Sequence, residues 1–284
     1  MKAENKDRAE MLAQALPYIQ QYNGKVIVVK YGGNAMINED LKNKVMRDIV
    51  LLSLIGVKVV LVHGGGPEIS DMLKRVGKKS EFVNGLRVTD KETVEIVQMV
   101  LAGKVNKNLV SLIQREGGNA IGLCGADGQM IKSEMMNKDL GFVGNITSIN
   151  PKPILDIIEK SYIPVISTIG CDDDGNIYNI NADTAAAKIA GELKAECLIS
   201  MTDITGILKD KDDDDTLIPV IKTSEAKKLM EDGIISDGMI PKIECCINAL
   251  EDGVKKVFIL DGRVPHSIIM ELLTDEGLGT MVVK

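Results

Sequence analysis

Short β-branched runs alternate with helically patterned stretches along most of the chain. The runs are Lys25–Lys30 (KVIVVK), Val57–His63 (VKVVLVH), Ala120–Cys124, Ile163–Thr168, Glu196–Met201 and Lys256–Asp261 (KVFILD). Most are apolar almost without a break, the pattern of strands covered on both faces in a parallel sheet. Between them, helical stretches run over Leu41–Ile55, Pro67–Val76, Lys91–Arg115, Ala182–Leu193 and Ser224–Asp232. This alternation predicts an α/β fold, an open, mostly parallel sheet sandwiched by helices. Ahead of the first run, Met11, Leu12, Ala15, Leu16 and Ile19 share one face of a helix over Ala9–Gln21, and Pro17 is expected to kink it. The acidic turn Asp172–Gly175 (DDDG) is the expected boundary between two lobes, residues 25–175 and 176–284, after an N-terminal kinked helix over 1–24. The acidic run from Asp210 to Asp215 reads as a solvated turn.

Composition narrows the chemistry. The 284 residues carry 34 Lys+Arg against 41 Asp+Glu, a net charge of −7, which disfavours a phosphate-backbone binder. Three Phe, five Tyr and no Trp leave little for stacking bases, so no nucleic-acid partner is expected. The most apolar stretch, Ile49 to Val62, is interrupted by Ser53, Gly56 and Lys58 and is too short to span a bilayer. The charged N-terminus lacks an apolar leader, and the five cysteines form no C-x-x-C pair. A cytoplasmic protein with free thiols and no membrane partner is the expectation. With two histidines, imidazole-centred acid–base or zinc chemistry has little material.

Glycine is abundant, at 27 residues, and clusters just after strands. Lys30-Tyr-Gly32-Gly33-Asn34 follows the first run, and His63-Gly64-Gly65-Gly66-Pro67 follows the second and leads into a helix. Ligands of open α/β sheets bind beyond the carboxyl ends of the strands. Glycine there lets backbone N–H groups approach a ligand, and a helix N-terminus adds a positive dipole. One such loop is a tight turn by default; two on successive strands, one starting with Lys, favour phosphate handling. Standard phosphate, dinucleotide, zinc-protease and hydrolase signatures are absent, and the Asp runs fail the calcium-loop template.

Six separated motifs resemble the acetylglutamate kinases of the amino acid kinase family. They are Lys30–Met36 (KYGGNAM), His63–Pro67 (HGGGP), Asn84–Asp90 (NGLRVTD), Asn179–Ala185 (NINADTA), Thr202–Leu208 (TDITGIL) and Asp237–Lys242 (DGMIPK). The resemblance implies transfer of the γ-phosphoryl of ATP to the side-chain carboxylate of N-acetyl-L-glutamate, in arginine biosynthesis. It makes residues 25–175 the acetylglutamate-binding and dimerisation lobe and 176–284 the ATP-binding lobe. Lys30 and Lys242 are then the cations on the phosphates, and Asp183 holds them in place. Asp183 also stands where an N-cap is expected. Gly33 contacts phosphate, while Gly65 and Gly66 offset charge on the phosphoryl and acceptor. Arg87 clamps a substrate carboxylate, and Asn179 reads the acetylamino group or backbone, assisted by Asn181. Thr202, Asp203 and Gly206 belong to the nucleotide pocket. Mg2+ rides on the phosphates and water, with no protein metal ligands. His63 orients the glycine loop. The acceptor arrives ionised, so a shortage of histidine is no obstacle. Relatives on this fold phosphorylate aspartate, glutamate, carbamate or nucleoside monophosphates, and a non-catalytic arginine sensor is a further alternative.

The N-terminal helix, including Leu16-Pro17-Tyr18-Ile19, and the stretch His266–Thr280 resemble those of arginine-inhibited members. This implies a homohexamer, a trimer of dimers, with L-arginine bound between the two segments near Tyr18, His266, Glu271, Glu276 and Gly277. A guanidinium ligand wants carboxylates, which Glu271 and Glu276 supply.

Overall fold

The computed structural model describes residues 3–36, 38–210, 213–235 and 237–284. Its main sheet contains β1 (Val26–Tyr31), β2 (Lys58–His63), β3 (Ala120–Cys124), β4 (Ile163–Ser167), β5 (Cys197–Thr202), β6 (Val220–Lys222), β7 (Lys256–Asp261) and β8 (Thr280–Val283). Their spatial order is β6-β8-β7-β5-β1-β2-β4-β3. The six predicted runs are the six mutually parallel strands. The last two strands at one end of the sheet were not anticipated: β8 runs antiparallel to β7, and β6, the edge strand there, pairs with β8. A separate four-stranded sheet contains Ile131–Met135, Gly144–Ile149, Ile169–Cys171 and Ile177–Asn179, and Phe82–Val83 pairs with Leu86–Arg87 as a small hairpin.

Side chains of a strand alternate between faces. Ile27, Val29 and Tyr31 of β1 enter one apolar cluster, with Met46 and Ile49 of α3 (Glu39–Leu54), Leu73 of α4 (Gly66–Arg75) and Leu272 of α11 (Ser267–Leu273). Val28 enters the cluster on the opposite face, with Ala186 and Ile189 of α8 (Ala182–Glu192) and Ile243 and Ile247 of α10 (Ile240–Glu251). Covering both faces explains why the strands read as continuous apolar runs. Lys30 shares the face of Val28, so its amine emerges beside α8 and α10.

The N-terminal segment is α1 (Ala3–Gln14) and α2 (Leu16–Tyr22), broken at Ala15 and bent by 34°. Pro17 lies in the first turn of α2, where its missing N–H is harmless; as an interior residue it would clash with the carbonyl four residues back. The predicted uninterrupted helix over 91–115 needs correction. It is α5 (Lys91–Gln98), a π-helical segment Met99–Val105, then α6 (Asn106–Arg115). The wider turn re-phases the helix, so that Leu101 and Val105 pack under the second glycine loop and polar Asn106 is wholly buried. Of the acidic run, Lys211 and Asp212 lie outside the described residues; Asp213, Asp214 and Asp215 form an exposed turn. All five cysteines are free.

Candidate active site

The carboxyl ends of β1 and β2 and the N-termini of α4, α8 and α10 meet at one edge of the main sheet. Lys30, next to last in β1, places Nζ 2.9 Å from Asp183 Oδ1. Lys242, in the first turn of α10, places Nζ 3.3 Å from Asp183 Oδ2. One carboxylate thus spans two ammonium groups from opposite elements. Burial alone pushes the Asp183 pKa up, but the two lysines outweigh it and hold the carboxyl below its ordinary range. Asp183 does not cap its helix. Asn181 does, its Oδ1 accepting from the N–H of Asp183 at 2.9 Å and of Thr184 at 3.1 Å. This cap aims the first turn of α8, and with it Asp183, at the lysines.

Beside this triad lies a cleft of about 190 Å³ lined by Gly64, Gly65, Gly66, Arg87, Asn179, Asn181 and Ala182. The N-termini of α4 and α8 both open onto it, which favours a negatively charged ligand. Gly65 has no room for a side chain: a Cβ there would lie 2.6 Å from Leu101 Cδ2 and 3.2 Å from Val105 Cγ2. Arg87 donates to Ser80 Oγ at 2.6 Å, Ser70 Oγ at 2.8 Å and the Gly66 carbonyl at 3.0 Å, and stacks over Phe82 at 4.6 Å. All these partners are neutral, so the guanidinium charge is oriented but not neutralised by them; burial lowers its pKa. Asn179 Nδ2 donates to Thr89 Oγ1 at 3.3 Å, and Thr89 donates to the Arg87 carbonyl at 2.7 Å. The two predicted substrate readers are thereby linked.

Asp203 follows β5 and its carboxylate crowds Gly33, so the Gly32-Gly33 loop and the Thr202–Leu208 segment are neighbours. Thr202 is buried, and its carbonyl accepts from the Gly262 N–H at 2.7 Å. Gly206, within that segment, packs against Leu217 and Thr280. Among the described residues, no three or more His, Cys, Asp or Glu side chains converge as metal ligands. No described helix is long and apolar enough to cross a membrane.

Of the five predicted regulatory residues, Tyr18 lies on α2, which packs on α11, and the other four lie on α11 or flank it. Tyr18 donates a hydrogen bond to Asp275. His266 Nδ1 donates to Asp48 Oδ1 at 2.6 Å. Glu271 Oε2 accepts from the N–H of Leu278 at 2.7 Å and of Gly279 at 3.3 Å, with Gly277 beside it. The Glu276 carbonyl accepts from Thr274 Oγ1 at 3.2 Å. Sequence reasoning missed Ser70, Ser80 and Phe82, which hold Arg87, and Asp48, a buried carboxylate inside an apolar helix face. A charged residue between Met46 and Ile49 was the available signal for Asp48.

The sequence pattern described as the amino acid kinase family matches residues 25–261. The chain is 57% identical to an acetylglutamate kinase of Brachyspira hyodysenteriae over 282 residues, covering 99% of this chain and 98% of that one. In structure it resembles an N-acetylglutamate synthase from Neisseria gonorrhoeae complexed with coenzyme A and N-acetyl-glutamate. The TM-score is 0.86 at 27% identity, covering 97% of this chain and 63% of the synthase chain, so the chain spans under two thirds of that relative. The synthase complexed with coenzyme A and L-arginine matches with a TM-score of 0.81 at 25% identity, over 97% of this chain and 65% of that one.

Proposed function

The chain belongs to the amino acid kinase family, and from that premise we propose that it transfers the γ-phosphoryl of ATP to the side-chain carboxylate of N-acetyl-L-glutamate. The products are N-acetyl-L-glutamyl 5-phosphate and ADP, in arginine biosynthesis. The observation that carries the reading is Asp183 spanning Lys30 and Lys242 beside a cleft whose arginine, among the described residues, is hydrogen-bonded only to neutral groups.

The nucleophile is a carboxylate, ionised at neutral pH, so no base has to take a proton. The barrier lies in bringing two anions together and in charge on the transferring phosphoryl. Lys30 and Lys242 supply positive charge on either side of that group, and Asp183 fixes their spacing. The amides of Gly65 and Gly66, at the positive end of α4, offset charge on the acceptor and phosphoryl. Arg87 takes a carboxylate of N-acetylglutamate, and Asn179 with Asn181 reads its acetylamino portion. Gly33, Thr202, Asp203 and Gly206 belong to the nucleotide side. Mg2+ neutralises phosphate charge when bound, held by the phosphates and water, in keeping with its reluctance to dehydrate.

Residues 25–175 serve as the acetylglutamate-binding and dimerisation lobe and 176–284 as the ATP-binding lobe, in a cytoplasmic enzyme. Met11, Leu12 and Leu16 are exposed along the N-terminal helices, an apolar stripe suited to joining dimers into a hexamer. The Tyr18–Asp275 contact joins that segment to the turn after α11, where we place an L-arginine site; the likeness to a synthase complexed with L-arginine supports the choice of ligand. An ATP-dependent assay with hydroxylamine trapping tests the reading. N-acetylglutamate should give hydroxamate far faster than glutamate, aspartate or carbamate, and arginine should suppress it. Equal rates on all four acceptors, or none on N-acetylglutamate, would refute the substrate assignment.

A further inference from the structure

His63 ends β2 and is fully buried. The reaction above gives it no proton to move. Its ring nitrogens have different partners: Nδ1 lies 2.8 Å from the Gly64 carbonyl oxygen, and Nε2 lies 3.1 Å from Asn106 Nδ2. A carbonyl oxygen only accepts, so Nδ1 carries the proton. Lys107 Nζ, which only donates, lies 3.0 Å from Asn106 Oδ1. That contact fixes which end of the Asn106 amide is oxygen. Nδ2 faces His63 and also the carbonyls of Val165 at 2.8 Å and Leu123 at 3.2 Å. His63 Nε2 is therefore an acceptor and the imidazole is neutral. Burial enforces this state, pushing its pKa down to about 4 against the opposing hydrogen bond to Gly64. Gly122 on β3 makes the arrangement possible, because a Cβ there would overlap Asn106 Oδ1.

The consequence lies one bond further along. In a trans peptide the C=O and N–H point in opposite directions. The carbonyl held by His63 belongs to the same peptide as the N–H of Gly65. Pinning that oxygen turns the N–H the other way, while Leu101 and Val105 close off the space beside the Gly65 Cα. We propose that Lys107, Asn106 and His63 form a positioning chain that sets the Gly64–Gly65 peptide plane and so aims the Gly65 amide at the reacting group. The chain transfers no proton. It converts the polarity of one buried amide into the direction of a backbone dipole in the cleft. The proposal rests on the reading that the Gly65 amide acts on the acceptor or phosphoryl.

The test joins a spectroscopic and a kinetic arm on the full-length enzyme. Nitrogen-15 NMR of the two histidines reports which ring nitrogen is protonated, and His63→Asn assigns the signals. His63 should be the neutral Nδ1–H tautomer at and above neutral pH; an Nε2–H tautomer overturns the proposal. His63→Leu should lower kcat by about 100-fold, the scale of small misplacements in an active site, with the KM for ATP near wild type. His63→Asn, which keeps a donor near the Nδ1 position, should recover kcat to within roughly tenfold of wild type, since losses of supporting hydrogen bonds run about 10–100-fold. Asn106→Asp puts an acceptor opposite Nε2, so it should move the ring proton from Nδ1 to Nε2, release the Gly64 carbonyl and lower kcat; it carries the kinetic arm if the leucine variant fails to fold. Wild-type kcat in the leucine or aspartate variant overturns the chain. A wild type that forms no acyl phosphate from N-acetylglutamate defeats the functional reading and this proposal with it. An active wild type with the wrong tautomer defeats only the proposal.

Discussion

Lys30 and Asp183 meet 2.9 Å apart, one from the end of a parallel strand and one from the first turn of the helix packed on that strand's face. The same carboxylate reaches Lys242 at 3.3 Å, so one negative charge sets the spacing of two positive ones. Asp183→Asn keeps the shape and leaves the Asn181 cap in place but removes that charge. The two ammonium groups then repel each other and lose their common anchor. Turnover should fall on the order of 100- to 1,000-fold, the usual cost of losing one preorganised electrostatic group. Steady-state assay of acyl phosphate formation checks this, and unchanged kcat would refute the role.

Gly65 and Gly66 are adjacent but differ in what surrounds them. A Cβ at Gly65 would press on Leu101 and Val105, whereas nothing lies within 4 Å of one at Gly66. Gly65→Ala should therefore displace the loop or the π-helical segment beneath it, at about 1–3 kcal/mol for overpacking. Gly66→Ala should leave stability nearly unchanged. Denaturant midpoints of the two variants check the contrast; equal losses would contradict the packing.

Two buried groups push the dependence of stability on pH in opposite directions. Burial raises Asp48 from 3.8 to about 6, against the pull of His266 and Arg47. Its stabilisation is present below pH 3.8 and lost as pH rises through 6. Burial lowers His63 from 6.5 to about 4, so its stabilisation is present above pH 6.5 and lost as pH falls through 4. Each effect is worth about 3 kcal/mol, so the two largely offset in the window between. Asp48→Asn removes one side and keeps an acceptor for His266. It should be more stable than wild type above pH 6, with the gain vanishing near pH 4. Unfolding midpoints across that range decide it, and a gain independent of pH would exclude this origin.

Arg87 rests on two serine hydroxyls, one carbonyl and one ring, a set that matches the planar fork of guanidinium. Lysine cannot donate to all three oxygens from one point while presenting a flat edge to a carboxylate. Arg87→Lys should raise the KM for N-acetylglutamate by about 10- to 100-fold, equivalent to 1.4–2.8 kcal/mol, and leave the KM for ATP near its starting value. A rise in both constants would place Arg87 outside the acceptor site.

The six parallel strands were legible because burial on both faces leaves an unbroken apolar run, and the observed limits differ from the expected ones by about a residue. The two strands at the β6 end were not: Val220–Lys222 is too short for a pattern, and its middle residue alone is buried. Lys30, Asp183 and Lys242 were identified through motifs, since nothing in their separations of 153 and 59 residues predicts that they meet. The π-helical segment was invisible because the same apolar positions fit an α-helix; only the packing of Leu101 and Val105 under Gly65 distinguishes them. Asn106 was hidden for the same reason. A polar residue in a helix reads as solvent-facing until the re-phased turn carries it inward.

The N-terminal segment offers two places for a truncation, and the structure separates them. Removing residues 1–22 would take Tyr22, which is buried in the core on the side of α3 and α11. It would thus mix a packing defect into any regulatory result. The break at Ala15 offers a cleaner boundary, because Met11 and Leu12 of α1 are 66% and 77% exposed while α2 keeps Tyr18 on Asp275 and Tyr22 in the core. Deleting residues 1–14 should leave kcat without arginine at the wild-type level, since no described side chain of α1 lines the cleft. If those exposed side chains join dimers, the particle mass measured by light scattering should fall from six chains to two, and the response to arginine should weaken with it. A truncated protein that keeps the full-length mass would remove α1 from the assembly and leave Tyr18 and the α11 segment to carry regulation within one chain.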